Sequence, residues 1–289
     1  MADGGVRNLN SGLILIGIGP GDISLMTNEA IEAAKSADYR RYEAYTALWP
    51  KEQLLALENI VGTIEKVMRP EVENPEILFK MAKESIVALL IVGDPLQATT
   101  HVDLQLQAED AGVNCRVIHG ISITNIVTGA IGLSNYKFGR QTTLTYPYSD
   151  WIATSPLEVI AMNMGLGHHT LALLDLDPTG AGTGQQRPMM PSDAVESMVS
   201  MINKLKGDLG EFPPESPYET LKMESLKTIL NMALNEFRVI LCSDMGTSSQ
   251  NIISTNLEDL AQINGGSMNC LVFLGNTSDV EEKALLRWQ

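Results

Sequence analysis

Three segments of the chain predict strands that end in short glycine-containing turns. The longest apolar run is IVALLIV at residues 86–92, and Gly93-Asp94-Pro95 follows it directly. A run that is apolar on both faces is typical of a central strand in a parallel sheet that helices cover on both sides. Residues 13–18 and 113–118 are also predicted as strands, and the segments GPGD and HGIS follow them.

Between these strands, apolar positions recur at helical spacing. In the segment TNEAIEAAKSADY, Ala30, Ile31 and Ala34 share one face, which predicts an amphipathic helix. Its first residue, Thr27, is a candidate N-cap. Further helices are predicted at residues 54–60, 74–84, 101–111 and 122–132. The alternation of strands and helices predicts an α/β architecture.

Polar and turn-forming residues at 133–139 interrupt this pattern, and a second series of elements follows. We therefore expect a flexible leader at residues 1–12, an N-terminal α/β domain at 13–138 and a C-terminal α/β domain at 139–289. In the second domain, strands are predicted at residues 142–146, 170–174, 238–242 and 269–274, helices at 191–205 and 256–263, and loops at 146–156, 178–191 and 212–218.

Composition excludes several classes of protein. A formal net charge of −15 without any basic run argues against direct binding of nucleic acid. No apolar stretch approaches the roughly 20 residues that cross a bilayer, so no membrane segment is expected. The cysteines Cys115, Cys242 and Cys270 form no CxxC pair, which excludes a local zinc site and favours a reducing, cytoplasmic setting.

The predicted strand ends suggest where a ligand binds, because ligands of open α/β sheets lie outside the carboxyl ends of the strands. The glycine segment GIGPGD at residues 17–22 lacks the lysine of a P-loop, and its third glycine is out of register for a dinucleotide fingerprint. Asp22 would also repel a pyrophosphate at a helix N-terminus. S-adenosylmethionine fits better, because it has no phosphate and its sulfonium is positive. The alternative from this segment alone is a tight turn in which Asp22 caps the next helix.

Several separate stretches together resemble the diphthine synthases, a family within the tetrapyrrole methylase superfamily. In order they are LIGIGPGD (15–22), YEAYT (42–46), VGDPLQATTHVDL (92–104), VIHGISI (117–123), GLSNYKFGRQTTL (132–144), WIATSPLEVI (151–160) and HTLALLDLD (169–177). The resemblance implies two α/β domains of the tetrapyrrole methylase type with the cofactor in the cleft between them, and a homodimer. It implies methylation of the amino group of a modified histidine, the diphthamide precursor, on translation elongation factor 2, which gives diphthine.

The resemblance implies S-adenosylmethionine as the methyl donor and S-adenosylhomocysteine as the product. The alternative within the superfamily is a precorrin-type methyltransferase that acts on a small tetrapyrrole; YEAYT and ATTHVDL favour the protein substrate. Two alternatives from other classes are a non-catalytic sensor of the cofactor and an NAD-dependent oxidoreductase.

Carried over position by position, the resemblance implies a set of cofactor contacts. They are Pro20, Asp94, Gln97, Ser122, Ile123, Leu173, Met245 and Asn269. In the last third the chain departs from the family's pattern, with Ser243-Asp244-Met245 and with Asn269 where a histidine is usual.

Methyl transfer from a sulfonium needs no nucleophilic side chain, because the cofactor already activates the methyl group. The amine that is methylated must lose a proton, and Asp22 and His101 are the candidate acceptors. No metal site is expected, since the adjacent His168 and His169 face opposite sides of a strand. Tyr42 and Tyr45 of YEAYT either pack at the interface between the domains or line the substrate cleft.

Overall fold

The computed structural model describes residues 10–148, 151–180, 186–208 and 214–289. Contacts between Cα atoms divide the chain into two compact units, and the division falls between Ile123 and Thr124. Most of the predicted leader, residues 1–9, lies outside the described residues, and the first strand begins at Gly12. The predicted domain boundary at residues 138 and 139 lies further along the chain than this division.

The first unit contains a parallel sheet of five strands. Its elements are β1 (Gly12–Gly17), α1 (Asn28–Ser36), β2 (Tyr39–Glu43), α2 (Lys51–Val61), β3 (Glu65–Val67), α3 (Arg69–Glu73), α4 (Glu76–Glu84), β4 (Ile86–Ile91), α5 (His101–Asp110) and β5 (Cys115–Ile118). The strand order is β3-β2-β4-β1-β5, so β1 pairs with β4 on one side and β5 on the other. Every residue of β1 is buried, as a strand covered on both faces requires.

The strands predicted at 13–18, 86–92 and 113–118 correspond to β1, β4 and β5. Thr27 caps α1 by accepting a hydrogen bond from the N–H of Ala30. That helix ends at Ser36, earlier than predicted, and Tyr39 begins β2. The sequence does not predict β3 or α3, because three to five residues with one buried side chain each carry little periodicity.

Helix α6 (Ile123–Ala130) crosses the division, and the second unit follows with a mixed sheet. Its elements are β6 (Thr142–Leu144), α7 (Ser155–Gly165), β7 (Thr170–Leu174), α8 (Pro191–Asp208), α9 (Pro217–Leu230), β8 (Arg238–Ser243), β9 (Asn251–Asn256), α10 (Leu257–Leu260), β10 (Asn269–Phe273) and α11 (Asp279–Leu285). The strand order is β6-β7-β10-β8-β9, in which only the β6–β7 pair is parallel. The predicted α/β fold class is therefore confirmed, and the structure shows two five-stranded sheets.

Among the α-helices and strands just named for the second unit, four are missing from the sequence prediction: α7, α9, β9 and α11. The segments predicted as loops at 146–156 and 212–218 run into α7 and α9, each of which has a proline in its first turn. Part of both segments, and residues 181–185 of the third predicted loop, lie outside the described residues. Strand β9 has mostly half-exposed positions, so it lacks the alternation of a strand with one buried face.

A buried carboxylate connects α11 to the segment before β6. Glu281 is 3% exposed; its Oε1 accepts a hydrogen bond from the N–H of Ser134 (2.9 Å), and its Oε2 accepts one from Nζ of Lys137 (2.6 Å). Burial alone would raise the pKa of Glu281, but the hydrogen bonds from Lys137, Ser134 and Ser278 hold it well below its usual range. The fully buried His169 lies 3.4 Å from the same carboxylate through Nε2, while its Nδ1 accepts the N–H of Gly275.

Candidate functional site

In the first unit, the carboxyl ends of β1, β4 and β5 meet backbone against backbone. The N–H of Gly93 donates to the carbonyl of Gly19 (2.9 Å), and the N–H of Gly19 donates to the carbonyl of Gly93 (3.2 Å). A Cβ on Gly17 would lie 2.5 Å from the amide nitrogen of Gly120 and 2.6 Å from the carbonyl oxygen of Gly93. Gly17 therefore accepts no side chain without a shift of the backbone. The structure therefore brings together the three segments that the sequence predicts as a ligand site.

Asp94 connects the segment after β4 to the segment after β5. It is 6% exposed, and its Oδ1 accepts the N–H of Leu96 (2.9 Å). Its Oδ2 accepts the N–H of Gly120 (3.2 Å) and lies 2.8 Å from Nδ1 of His119. The sequence prediction includes Asp94 but not its pairing with His119. The sequence offered one signal for the pair. His119 directly follows the strand predicted at residues 113–118, and Asp94 follows the strand predicted at 86–92 after one glycine.

The other cofactor contacts predicted in the first unit lie in the same segments. Pro20 is half-buried and follows Gly19, while Gln97 is exposed and its N–H donates to the carbonyl of Asp94 (3.3 Å). Ser122 is buried, and Ile123 begins α6. Their proximity in the fold is consistent with one site, and their contact with a cofactor stays a prediction.

The two candidate proton acceptors have different environments. Asp22 caps the short 3-10 helix Ile23–Leu25 by accepting the N–H of Ser24 (2.8 Å), as the alternative reading of the segment expects. The hydrogen bonds from Ser24 lower the pKa of Asp22, which makes it a weaker base. His101 is 1% exposed; its Nδ1 lies 3.1 Å from the carbonyl of Pro95, and its buried Nε2 has no partner among the described residues.

Both tyrosines of the YEAYT segment lie in the core of the first unit. Tyr42 is 4% exposed, and its hydroxyl accepts the N–H of Trp49 (2.8 Å). Burial is the main reason that the pKa of Tyr42 is raised to about 12. Tyr45 is 5% exposed, and the guanidinium of Arg69 lies 5.1 Å from its ring centroid. Glu43 shapes the turn between them by accepting the N–H of Tyr45. Both rings therefore contribute to the core of the first unit, a place that the sequence analysis did not predict for them.

In the second unit, the predicted contacts Leu173, Met245 and Asn269 lie at the end of the mixed sheet where β7 and β8 finish and β10 begins. Leu173 is near the end of β7 and pairs with Cys270 of β10. Asn269, the residue before Cys270, begins that strand. Met245 follows β8 and is buried. The side-chain amide of Asn269 forms hydrogen bonds with its neighbours at this end of the sheet. Its Oδ1 accepts the hydroxyl of Ser243 (2.7 Å) and the N–H of Gly266 (2.9 Å).

The charges at the strand ends of the first unit fit a cation without phosphates. Residues 17–22, 93–97 and 119–123 contain two aspartates and one histidine but neither lysine nor arginine. A site for phosphates ordinarily supplies basic side chains or a glycine-rich helix N-terminus without an acid. Over the described ranges, no group of three or more His, Cys, Asp or Glu side chains could hold a metal ion.

Comparison with known proteins identifies the family. The model of a family described as Tetrapyrrole (Corrin/Porphyrin) Methylases matches residues 12–261. The chain belongs to the tetrapyrrole methylase family. A diphthine synthase from Methanocella arvoryzae is 39% identical over 168 residues, which is 57% of this chain and 65% of that relative. This match therefore spans less than two thirds of the relative's length.

Longer matches within the tetrapyrrole methylases are weaker in identity. A diphthine synthase from Methanococcus aeolicus is 28% identical over 94% of this chain and 96% of its own length. A crystal structure of diphthine synthase superposes with a TM-score of 0.75 at 27% identity, and covers 96% of this chain and 95% of the other. The resemblance to diphthine synthases that the sequence motifs indicated is confirmed.

Proposed function

We propose that this chain is an S-adenosylmethionine-dependent methyltransferase that methylates the amino group of the diphthamide precursor, a modified histidine of translation elongation factor 2, and so forms diphthine. The observation that carries the proposal is the acidic, lysine- and arginine-free set of side chains at the three joined strand ends. It is supported by similarity to relatives named diphthine synthase, which extends over 94% of the chain in one of them.

In this function the chain's residues position the two reactants. S-adenosylmethionine supplies a methyl group that its sulfonium already activates. We assign its binding to Pro20, Asp94, Gln97, Ser122 and Ile123 in the first unit. In the second unit we assign it to Leu173, Met245 and Asn269. Rigid strand ends suit this task, because a fixed geometry of amine and methyl carbon removes several kcal/mol from the barrier.

The decisive experiment offers the protein two substrates with labelled S-adenosylmethionine. One is elongation factor 2 that carries the diphthamide precursor, and the other is a uroporphyrinogen-type tetrapyrrole. We expect label in the elongation factor and none in a control factor with an unmodified histidine. Label in the tetrapyrrole alone would establish the precorrin-type alternative instead. The mass of the modified histidine counts the methyl groups that are added.

Two further measurements address the alternatives from other classes. S-adenosylhomocysteine that copurifies with the protein supports turnover, whereas binding of S-adenosylmethionine without transfer to any substrate supports a sensor. Tight binding of NAD would favour the oxidoreductase.

We also propose a cytoplasmic homodimer, as the family resemblance implies. Within the described segments, no helix has the length and apolar character needed to cross a membrane. Light scattering after gel filtration is expected to give twice the chain mass of 31.4 kDa. A mass of one chain at micromolar concentration would contradict the dimer.

A further inference from the structure

His119 directly follows the carboxyl end of β5, and one nitrogen of its imidazole is hydrogen-bonded to Asp94. Its Nδ1 lies 2.8 Å from Oδ2 of Asp94, and its side chain is 72% exposed, whereas that of Asp94 is 8% exposed. An ionised carboxylate only accepts hydrogen bonds, so Nδ1 carries the proton and Nε2 carries the lone pair. Because Leu96 and Gly120 also donate to Asp94, its carboxylate cannot turn away from the imidazole without losing their hydrogen bonds.

The segments at the three strand ends place one charged group beside His119. Asp94, from the segment after β4, faces the imidazole. Asp22, from the segment after β1, faces Ser24 and Gln53 instead. Helix α6, which follows β5, has the sequence ITNIVTGA without a charged side chain. The imidazole of His119 therefore has one carboxylate beside it, and residues 17–22, 93–97 and 119–130 contain neither lysine nor arginine.

We infer that His119 is the proton acceptor for the amine that this protein methylates, and that Asp94 is its positioning residue. The inference rests on the proposed function and adds to it the group that deprotonates the substrate. The ammonium form of the substrate gives a proton to Nε2, and the amine keeps the electron pair of the broken N–H bond. That pair forms the new N–C bond to the methyl group while the C–S bond breaks, and its electrons stay on sulfur. The imidazolium then releases the proton to water.

The same geometry explains why His119 suits this role better than the two candidates from the sequence. The carboxylate of Asp22 accepts the N–H of Ser24 and so caps a 3-10 helix. The ring of His101 is buried, and its Nδ1 is bonded to Pro95. His119 combines an exposed ring with a fixed tautomer, and it lies within four residues of Ser122 and Ile123, which are assigned to the cofactor.

His119→Asn tests the inference, because an asparagine N–H can still donate to Asp94 but cannot accept a proton. We expect the single-turnover rate of methyl transfer at about pH 7 to fall by about 10²- to 10⁴-fold, the usual contribution of a general base. The deficit should shrink as pH rises, because the ammonium form of the substrate then loses its proton to water without a protein base. Added imidazole should partly restore the rate of a second variant, His119→Ala. The affinity for S-adenosylmethionine, measured by calorimetry, should not change, and His168→Asn in the second unit serves as the matched control.

A readout in the free protein is independent of activity. ¹⁵N NMR of the neutral His119 ring should show the proton on Nδ1, and Asp94→Asn should redistribute it between the nitrogens. A proton on Nε2 in the wild-type protein would overturn the inference, as would a pH profile of His119→Asn that matches the wild type. If the wild-type protein transfers no methyl group to the elongation factor, the proposed function fails; transfer with an unaffected variant contradicts the inference alone.

Discussion

The aspartates of the strand-end segments differ in what their carboxylates bind. Asp22 accepts one hydrogen bond from the turn that it caps and one from the side chain of Gln53 (3.4 Å), whereas Asp94 accepts backbone N–H groups of two different segments. Asp94 therefore contributes a negative charge whose position the backbone fixes. A fixed charge costs little reorganisation when a cation binds beside it.

Asp94→Asn is expected to weaken binding of S-adenosylmethionine by about tenfold or more, since a hydrogen bond to a charged group contributes about 1.5–3 kcal/mol. The side-chain amide of the variant also points an N–H at Nδ1 of His119 or at the N–H of Gly120. Two donors then face each other, which disturbs the segment after β5. Isothermal titration calorimetry measures the change. Asp103→Asn, an exposed acid on α5, is the control and should bind as the wild type does. An unchanged dissociation constant for Asp94→Asn would remove Asp94 from the cofactor site.

The sequence indicates one member of the Asp94–His119 pair, since Asp94 follows the most apolar strand and matches a cofactor contact that the family resemblance implies. It does not predict the pairing, since β4 and β5 are not adjacent in the sheet. They lie on opposite sides of β1, and the two side chains meet only because glycines at the ends of all three strands allow the backbones to approach. That approach depends on tertiary contacts rather than on local periodicity.

At the scale of secondary structure, the glycines at the strand ends allow the backbones of neighbouring strands to approach each other closely. A Cβ at Gly17 meets backbone atoms, which cannot move aside as the end of a flexible side chain can. Helix α6 contains a contrasting glycine, Gly129, around which a Cβ would have open space. The two positions form a matched pair for mutation.

Gly17→Ala should destabilise the protein by about 1–3 kcal/mol or more, as overpacking does. Gly129→Ala should instead stabilise it by up to about 1 kcal/mol, because alanine loses less entropy in a helix. Urea unfolding measures both. Equal midpoints for the two variants would show that the strand ends tolerate a Cβ and would contradict the close packing described above.

The buried carboxylate on α11 predicts a pH dependence of stability. The pKa of Glu281 is depressed in the folded protein, so its contribution is present above the ordinary value of 4.5 and is lost as pH falls below it. Glu281→Gln should reduce the free energy of unfolding by about 1–3 kcal/mol at neutral pH, since it removes the charged acceptor of the hydrogen bonds from Lys137, Ser134 and Ser278.

The difference between the wild type and Glu281→Gln should shrink as pH falls below about 4.5, where unfolded glutamates become protonated. Chemical denaturation at a series of pH values measures it. Glu224→Gln, at an exposed pair with Lys227 on α9, should differ little from the wild type at any pH. A difference that stays constant down to about pH 3 would contradict the depressed pKa.

The sequence predicted long apolar strands better than it predicted short or polar elements. Helix α11 begins with the sequence SDVE, in which Ser278 and Glu281 form a capping box, so a signal for its start was present. Strand β9 offered no comparable signal, because it is held by pairing along its full length with β8. The structure of such a strand is determined by its neighbour more than by its own pattern.

At the scale of the whole molecule, the net charge of −15 opposes binding to polyanions. Binding to a duplex depends on release of counterions by lysine and arginine, and acids outnumber these residues here, 35 to 20. We expect no change in the anisotropy of labelled duplex DNA or RNA up to about 100 μM protein at physiological salt, the weak end of non-specific binding. A basic protein of similar size is the positive control, and binding in the micromolar range would contradict the prediction.

The position of β1 in its sheet also has a consequence for biosynthesis. This strand leaves the ribosome first among the described elements, yet both of its neighbours come much later, at Ile86–Ile91 and Cys115–Ile118. Until those residues are made, the segment GLILIG keeps two open hydrogen-bonding edges and two uncovered apolar faces. Such a segment can associate with other nascent chains. We therefore expect the protein to be most prone to association with other chains between the synthesis of β1 and that of β5.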